Sequence, residues 1–307
     1  MVKIKEWEKP LRGIPYVGNK AQIAFKILDY LPPSKRFVDL FGGGGSMSLH
    51  ASYSNKYGKV VYNELDPNIY MLINELILKQ KKIDYSAFTV IDRERFFNAK
   101  NKEDKSLADN IILTVWSFSN NRSGYLWGRR IAPLKSLVSQ ALMFGNTGTG
   151  YDVLFEKAEK YKTIKEKYKV FKKYRHEILS SERNYKELEQ LQQLLQLQQL
   201  ERLQQLEQLL IEKIKGSNAD YSKVPLTADD LVYCDPPYFK TAHNYNVQFD
   251  EEKFVDWYLN CKAKNIYISE YTQLPHTEVV AKLGSKHRFV ATTNSNKRQE
   301  LLLKVIK

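Results

Sequence analysis

Arg36-Phe37-Val38-Asp39-Leu40-Phe41-Gly42-Gly43-Gly44-Gly45-Ser46 is a mostly apolar run that ends on four glycines. Its first six residues predict a buried strand. The glycines predict a turn that a ligand can approach closely, with the amides of a following helix (Ser46 to Ser54) turned toward a carboxylate or phosphate. Val60-Val61-Tyr62-Asn63 predicts a second short strand, and Asp66-Pro67 opens an apolar-periodic helix to about Lys79. Strand–helix–strand alternation of this kind implies a parallel α/β sheet. A nicotinamide fingerprint needs G-x-G-x-x-G, and either register puts Met47 or Ser48 where the third glycine belongs. Glu64 closes the second strand, about twenty residues on, where an acid can bind ribose hydroxyls. Together the turn and the acid point to a cofactor that contains a nucleoside.

Outward from this core the pattern changes. Residues 81–183 read as helices rich in Lys and aromatics, broken by a Gly/Asn/Arg-rich segment (Asn120 to Arg130) and by Gly145-Asn146-Thr147-Gly148-Thr149-Gly150. The α/β pattern resumes after about Leu209, with strand candidates Leu231–Cys234, Ile266–Ser269 and Arg288–Thr292. The chain is therefore expected to hold a first catalytic part (1–80), an inserted helical domain (81–183), a Leu/Gln-rich low-complexity stretch (184–208) and a second catalytic part (209–307). In the low-complexity stretch leucines fall at 188, 191, 194, 197, 200, 203, 206 and 209, a strict spacing of three. A helix advances about 100° per residue, so each step slips about 60° and the leucines wind around the whole helix. The heptad fragments break register, so the expectation is a helical or irregular arm that packs on the body or on a second copy of the chain.

Hydrophobic residues make up 43% of the 307, which predicts a folded protein rather than a disordered one. No apolar run is long enough to span a bilayer, and the first eight residues carry no apolar signal core. Two cysteines, Cys234 and Cys261, rule out a disulfide framework and fit a reducing, cytoplasmic setting. No Cys/His cluster has zinc-ligand spacing, so no metal is expected. The formal charge of +13 makes a polyanion the natural partner, against the plainer reading of a basic surface with no such role.

Asp235-Pro236-Pro237-Tyr238 follows the apolar strand candidate Leu231–Cys234 directly. A carboxylate at the C-terminal end of a parallel strand lies where open α/β sheets bind ligands. Two prolines fix the backbone and remove two donors, leaving carbonyls free to accept. Such a site suits an amine with two hydrogens to give: Asp235 takes one, the Pro236 carbonyl the other, and Tyr238 offers a face for a base. Acceptors aimed at the hydrogens of an adenine N6 pull its delocalised lone pair toward tetrahedral geometry and stabilise the positive charge that develops. The alternative is a simple Asp-Pro turn that ends a strand.

Asn121-Arg122-Ser123-Gly124-Tyr125-Leu126-Trp127-Gly128-Arg129-Arg130 has its own chemistry. Arg122, Arg129 and Arg130 suit phosphates or guanine edges, and Tyr125 or Trp127 could fill the gap left by a flipped base. The alternative is a structural loop with its aromatics in the core. Cys234 reads as core. His243 and Tyr245 read as part of a loop that closes on substrate.

These motifs, in this order, resemble the Dam-like DNA adenine-N6 methyltransferases, the class with its target-recognition domain between Phe-x-Gly-x-Gly and Asp-Pro-Pro-Tyr. The likeness extends to Pro10-Leu11-Arg12 and Tyr16-Val17-Gly18-Asn19-Lys20, where Asn19 stands in place of a second glycine. It also takes in Asp220-Tyr221 and Lys297-Arg298-Gln299-Glu300-Leu301. The stretch after Tyr125 is unlike GATC-recognising members.

The resemblance implies a Rossmann-like S-adenosylmethionine-dependent methyltransferase sheet with an inserted, mostly helical DNA-recognition domain. The cofactor would be S-adenosylmethionine and the partner double-stranded DNA, in the cytoplasm of a bacterial cell or phage-infected host, with no membrane role. Carried over by position, Tyr16 would pack on the cofactor adenine and Lys20 would line the region between cofactor and substrate. Phe41, Gly43 and Gly45 would cradle the methionine part, Glu64 would hold the ribose and Asp220 would reach the adenine. Asp235, Pro236, Pro237 and Tyr238 would hold the target base, with Asp235 also bordering the cofactor. Asn121, Arg122, Gly124, Tyr125, Trp127, Arg129 and Arg130 would meet DNA. Rival acceptors are cytosine N4, adenine in RNA and a glutamine amide. Rivals of another class are a DNA-binding protein without turnover and an assembly that self-associates through its leucine-rich stretch.

Overall fold

The computed structural model describes residues 11–180, 185–188, 190–206, 208–237, 249–285 and 299–307. The chain divides into two compact units. One comprises Met1–Arg12, Asn19–Tyr70 and Glu207–Lys307, and the other Gly13–Gly18 and Met71–Leu206.

The first unit is built on a seven-stranded sheet: β1 (Ser34–Asp39), β2 (Tyr57–Asn63), β3 (Ile214–Ser217), β4 (Leu231–Cys234), β5 (Asn265–Glu270), β6 (Thr277–Ser285) and β7 (Gln299–Val305). Their order is β3-β2-β1-β4-β5-β7-β6. All pairs from β3 to β5 are parallel, and β7 runs antiparallel to both β5 and β6. This is the Rossmann-like sheet that the resemblance implies, with one strand reversed. Strands β1, β2, β4 and β5 form where apolar runs announce them. The Arg288–Thr292 candidate, Tyr238, His243, Tyr245, Pro10 and the Lys297-Arg298 pair lie outside the described residues.

Alternation along the strands gives the sheet two apolar faces. Phe37, Leu231, Tyr233 and Tyr267 pack with Ala24, Ile27, Leu28, Met47 and Ala51 on one side. Val38, Val232, Cys234, Ile266 and Ile268 pack with Tyr221, Phe254 and Tyr258 on the other. The helices Ala24–Tyr30 and Ser46–Tyr53 thus cover one face and Glu251–Asn260 the other. From β1 the order steps one way to β2 and β3 and the other way to β4 and β5, so the carboxyl ends of β1 and β4 flank a topological switch point. Ligands of open α/β sheets bind at such a crevice.

The second unit is helical. Three of its helices start on side-chain caps that the sequence supplies: Asp92 accepts from the Arg95 amide, and Ser106–Asp109 and Thr163–Glu166 form reciprocal capping boxes. The Leu/Gln-rich stretch belongs to this unit. Its helix Gln192–Leu203 touches the helices Leu107–Val115 and Ile164–Leu179. Leu188, Leu191, Leu194, Leu197 and Leu200 are fully buried, and Gln193, Gln196 and Gln198 are buried with them.

The arm expected from sequence is therefore a core helix. The leucines spaced by three from Leu188 to Leu203 are all buried, while Gln192, Leu195 and Arg202 leave one stripe of the helix exposed. The leucines from Leu188 to Leu203 in that spacing are used inside the unit, and Leu195 and Leu209 are exposed. Leu197→Ala should lower stability by about 2–5 kcal/mol, the range for emptying a buried Leu site. A urea melt checks this, and a loss below about 1 kcal/mol would contradict the burial of Leu197 in the core of the unit.

Candidate active site

The turn after β1 is shaped by glycine where no other residue fits. A Cβ on Gly42 would overlap the Tyr62 ring, and Gly45 takes a left-handed φ of +79° as it caps the helix Ser46–Tyr53. The Tyr62 hydroxyl donates to the Gly43 carbonyl at 2.8 Å, fixing the turn against β2. At the end of β2, the two Glu64 oxygens accept from the Gly43 amide and the Asp66 amide, each at 2.9 Å. Asn63 and Asn218 brace the same strand end: Asn63 donates to Leu40 and Ala219, and Asn218 to the Glu64 carbonyl. Burial pushes the Glu64 carboxyl up, against the downward pull of the Asp66 and Gly43 amides.

Phe41 is half-buried, with ring centroids 5.3 Å from Tyr221, 5.7 Å from Phe254 and 5.9 Å from Phe249. Asp220 caps the short turn Tyr221–Lys223 by accepting from the Ser222 amide. Burial opposes its ionisation, but the Ser222 hydrogen bonds and nearby Lys253 and Lys223 hold its carboxyl below the usual range.

Asp235 stands one residue past β4, and the structure ties it to Lys20 across 215 residues of sequence. The Lys20 ammonium lies 2.7 Å from Asp235 Oδ1 and 2.6 Å from Oδ2. It also lies 3.3 Å from Glu300 Oε1. Lys20 is 3% exposed and Glu300 2%, so one cation is buried between two carboxylates. Burial alone would lower the Lys20 pKa, but the charges and hydrogen bonds of Asp235 and Glu300 outweigh it and hold the pKa above its ordinary value. Lys20 is thus a protonated donor at neutral pH, and Asp235 is an acceptor facing a charge.

Sequence reasoning placed Lys20 by resemblance and Asp235 also by its position after an apolar strand, and it gave Glu300 no role. Glu300 opens β7, and because β7 runs antiparallel its first residues lie at the edge where β4 and β5 end. Only that reversal brings it to the site.

Asp39, the last residue of β1, is a further buried carboxylate. It accepts from the Ser48 hydroxyl at 2.7 Å. Burial pushes its pKa up from 3.8 to about 7, with Asp235 and Glu64 adding to the rise and Ser48 opposing it. A raised carboxyl pKa means that the folded state holds the proton more tightly than the unfolded chain. Its contribution to stability is therefore greatest at low pH and is lost as pH rises from about 4 to about 7. At about 1.4 kcal/mol per pH unit, wild type should lose roughly 2–3 kcal/mol between pH 5 and 7 relative to Asp39→Asn. Urea melts at the two pH values check this, and parallel pH dependences would contradict it.

Residues 16–123 match the family model of the D12 class N6 adenine-specific DNA methyltransferases. Over those residues the chain is similar to that class. The match spans the Tyr16–Lys20 segment, the glycine turn, Glu64 and the start of the Asn121–Arg130 segment, and it stops short of Asp235. The chemistry of this class is methylation of adenine in DNA, so the enzyme is an adenine-specific DNA methyltransferase.

Two residues of the methyltransferase expected beside the cofactor take part in other arrangements. Asn19, in place of a glycine, donates to the Arg12 carbonyl and accepts from the Ala21 amide at 2.8 Å, which stiffens the approach to Lys20. Tyr16 is half-buried and belongs to the helical unit, with Gly13–Gly18.

The segment expected to meet DNA divides into core and surface. Tyr125 is 7% exposed and Trp127 3%. Tyr125 stacks on Trp116 with centroids 5.9 Å apart and donates to the Ile91 carbonyl at 2.6 Å. Trp127 packs edge-on against Trp116 at 4.7 Å. Both rings are thus tucked into the core beside Trp116, the arrangement of the structural-loop alternative.

Arg122 is also anchored. Its guanidinium donates to Thr114 Oγ1 at 2.7 Å and to the Asn110 side chain, and its backbone sits at φ +59°. Asn121 Oδ1 accepts from the Ser123 and Gly124 amides, which folds the turn. Arg129 and Arg130 are exposed, and Arg130 pairs with Glu187 at 3.1 Å. No helix of the described residues is long and apolar enough to cross a membrane. Among them no cluster of His, Cys, Asp and Glu could hold a metal ion.

Proposed function

We propose that this enzyme transfers a methyl group from S-adenosylmethionine to N6 of an adenine turned out of duplex DNA. The observation that carries the reading is the Lys20–Asp235 pair at the end of β4, in the same unit as the glycine turn and Glu64.

The glycine turn and its acid suit the cofactor. Each Glu64 oxygen accepts one backbone amide, and each keeps a second lone pair for one hydroxyl of a ribose diol. The helix Ser46–Tyr53 begins at the glycines, so its first amides can meet a carboxylate. Phe41 and Tyr221 give an apolar wall, and Asp220 a carboxylate for an exocyclic amine.

S-adenosylmethionine supplies an electrophilic methyl on a sulfonium; every other part belongs to the chain. Asp235 holds one N6 hydrogen of the adenine and the Pro236 carbonyl the other. Lys20 keeps Asp235 ionised, so the carboxylate only accepts and cannot donate to the amine. As N6 takes the methyl it becomes cationic, and the Asp235 charge stabilises it more than the neutral amine, which is where the rate gain lies. The proton then leaves N6 to solvent. Tyr238 stacks on the base. Turning the adenine out is required because its amine cannot reach a sulfonium from inside the duplex. Arg129 and Arg130 hold phosphates, and Asn121, Arg122 and Gly124 shape the turn that carries them.

Methyl-labelled S-adenosylmethionine tests the reading. Label should enter an unmethylated mixed-sequence duplex and stay out of the same duplex with its adenines already N6-methylated. Label that enters RNA of the same sequence and not DNA would overturn the proposal.

A further inference from the structure

Residues 157–176 carry eight lysines and one arginine against two glutamates, a net +7 of the chain's +13. Most of them lie on the helix Ile164–Leu179 of the helical unit. Ile164, Tyr168, Phe171 and Leu179 are buried, so this helix turns one apolar stripe inward. Lys165, Lys169, Lys172, Lys173 and His176 are exposed, at spacings of four, three, one and three that keep them on a common opposite stripe. No ion pair among the described residues engages Lys165, Lys169, Lys172 or Lys173. Of the two acids beside the row on this helix, Glu166 accepts from Thr163 in the capping box, and Glu177 is exposed four residues beyond Lys173.

Stability does not account for this row. Like charges at i, i+4 repel on a helix by a few tenths of a kcal/mol. A solvated helix face usually mixes signs. Lys167, which does have a structural task, points elsewhere and donates to the Met143 carbonyl at 2.7 Å. Aromatic rings flank the row: Tyr174 has Lys157 at 4.4 Å and Lys173 at 4.9 Å from its centroid, and Tyr161 has Lys160 at 5.3 Å. The Lys173 hydrogen bond and charge, joined by Lys157, hold the Tyr174 hydroxyl below its ordinary pKa.

We infer that the Lys165–Lys169–Lys172–Lys173 face of this helix is a docking stripe for the phosphate backbone of duplex DNA. It is independent of sequence and separate from the residues that hold the target base. The inference rests on the reading of the chain as a DNA methyltransferase, which makes duplex DNA the polyanion it meets. From Lys165 to His176 the helix rises about 16 Å, which matches the axial reach of about five phosphates of one strand. Lysines are point charges on flexible stems, suited to a backbone and unsuited to fixed base readout. The stripe therefore adds affinity and retention on DNA and leaves base choice alone.

The test is the salt dependence of binding. A dye-labelled mixed-sequence duplex of 30 base pairs is titrated with the full chain, followed by anisotropy from low to moderate salt. The variants are K165Q/K169Q/K172Q/K173Q and the charge-keeping K165R/K169R/K172R/K173R. Each lost phosphate contact lowers the slope of log affinity against log salt by about 0.9, so the glutamine variant should lose about 3–4 units of slope and the arginine variant none. Turnover at saturating DNA should be unchanged in both, and thermal melts should match wild type because these side chains are exposed.

A glutamine variant with the wild-type slope overturns the stripe. So does loss of binding to phosphatidylserine vesicles with the DNA slope intact, which would assign the face to a membrane surface. Wild type that makes no N6-methyladenine under the same conditions sinks the methyltransferase reading instead, and the slopes still decide the stripe.

Discussion

Lys20→Met should destabilise the sheet unit by about 3–5 kcal/mol, the loss expected when one partner of a buried ion pair is removed. The methionine fills a similar volume, so packing loss is small. The cost is electrostatic: Asp235 and Glu300 then stand at one site with no cation between them, and Glu300 is almost wholly buried. One carboxyl must take up a proton to relieve the repulsion. The variant's deficit should therefore be larger at pH 8 than at pH 5, which urea melts at the two values measure. A deficit below about 1 kcal/mol at pH 8 would show that the three groups do not form the buried cluster.

Asp235→Asn should reduce methyl transfer by roughly 10³-fold or more, with the loss in turnover and not in cofactor affinity. The amide is isosteric but places donors where the N6 hydrogens point, and it brings no negative charge to the forming cation. It also leaves Lys20 with Glu300 as its carboxylate partner, so the fold is less affected than in Lys20→Met. Single-turnover rates with saturating cofactor and DNA measure the effect. A variant within tenfold of wild type would remove Asp235 from the reaction.

The fold's first half was legible because each signal is local. A buried parallel strand is apolar on both faces, so β1, β2, β4 and β5 show up as runs such as Val60-Val61-Tyr62 and Leu231-Val232-Tyr233-Cys234. Strands β3, β6 and β7 were not read. Ile214–Ser217 is short and holds a glycine, and Thr277–Ser285 lies at the sheet edge and mixes charged with apolar residues. Because β7 was missed, its reversal was missed, and with it the entry of Glu300 into the site. Lys20 and Asp235 were placed by motif, but a motif carries no distance. The ion pair that joins them is tertiary.

For Tyr125 and Trp127 the sequence left two readings open, for a related reason. A loop sequence rich in Gly, Asn and Arg says that aromatics are near the surface, and only packing against Trp116 shows which way they turn. The leucine stretch is the opposite case. Its spacing gave leucines that wind around the helix, while the expectation of an arm packed on the body or on a second copy did not say which surface would cover them. Contacts with the helices Leu107–Val115 and Ile164–Leu179 accompany the burial of Leu188 to Leu203 at that spacing.

The central claim, that this chain methylates adenine N6 in duplex DNA through Asp235, is met most directly by nucleoside mass spectrometry. Unmethylated mixed-sequence duplex is incubated with S-adenosylmethionine and either wild type or Asp235→Asn, then digested to nucleosides. The account predicts N6-methyladenine with wild type and only trace amounts with the variant. N4-methylcytosine, or no methylated nucleoside from wild type that binds both S-adenosylmethionine and the duplex, would contradict it.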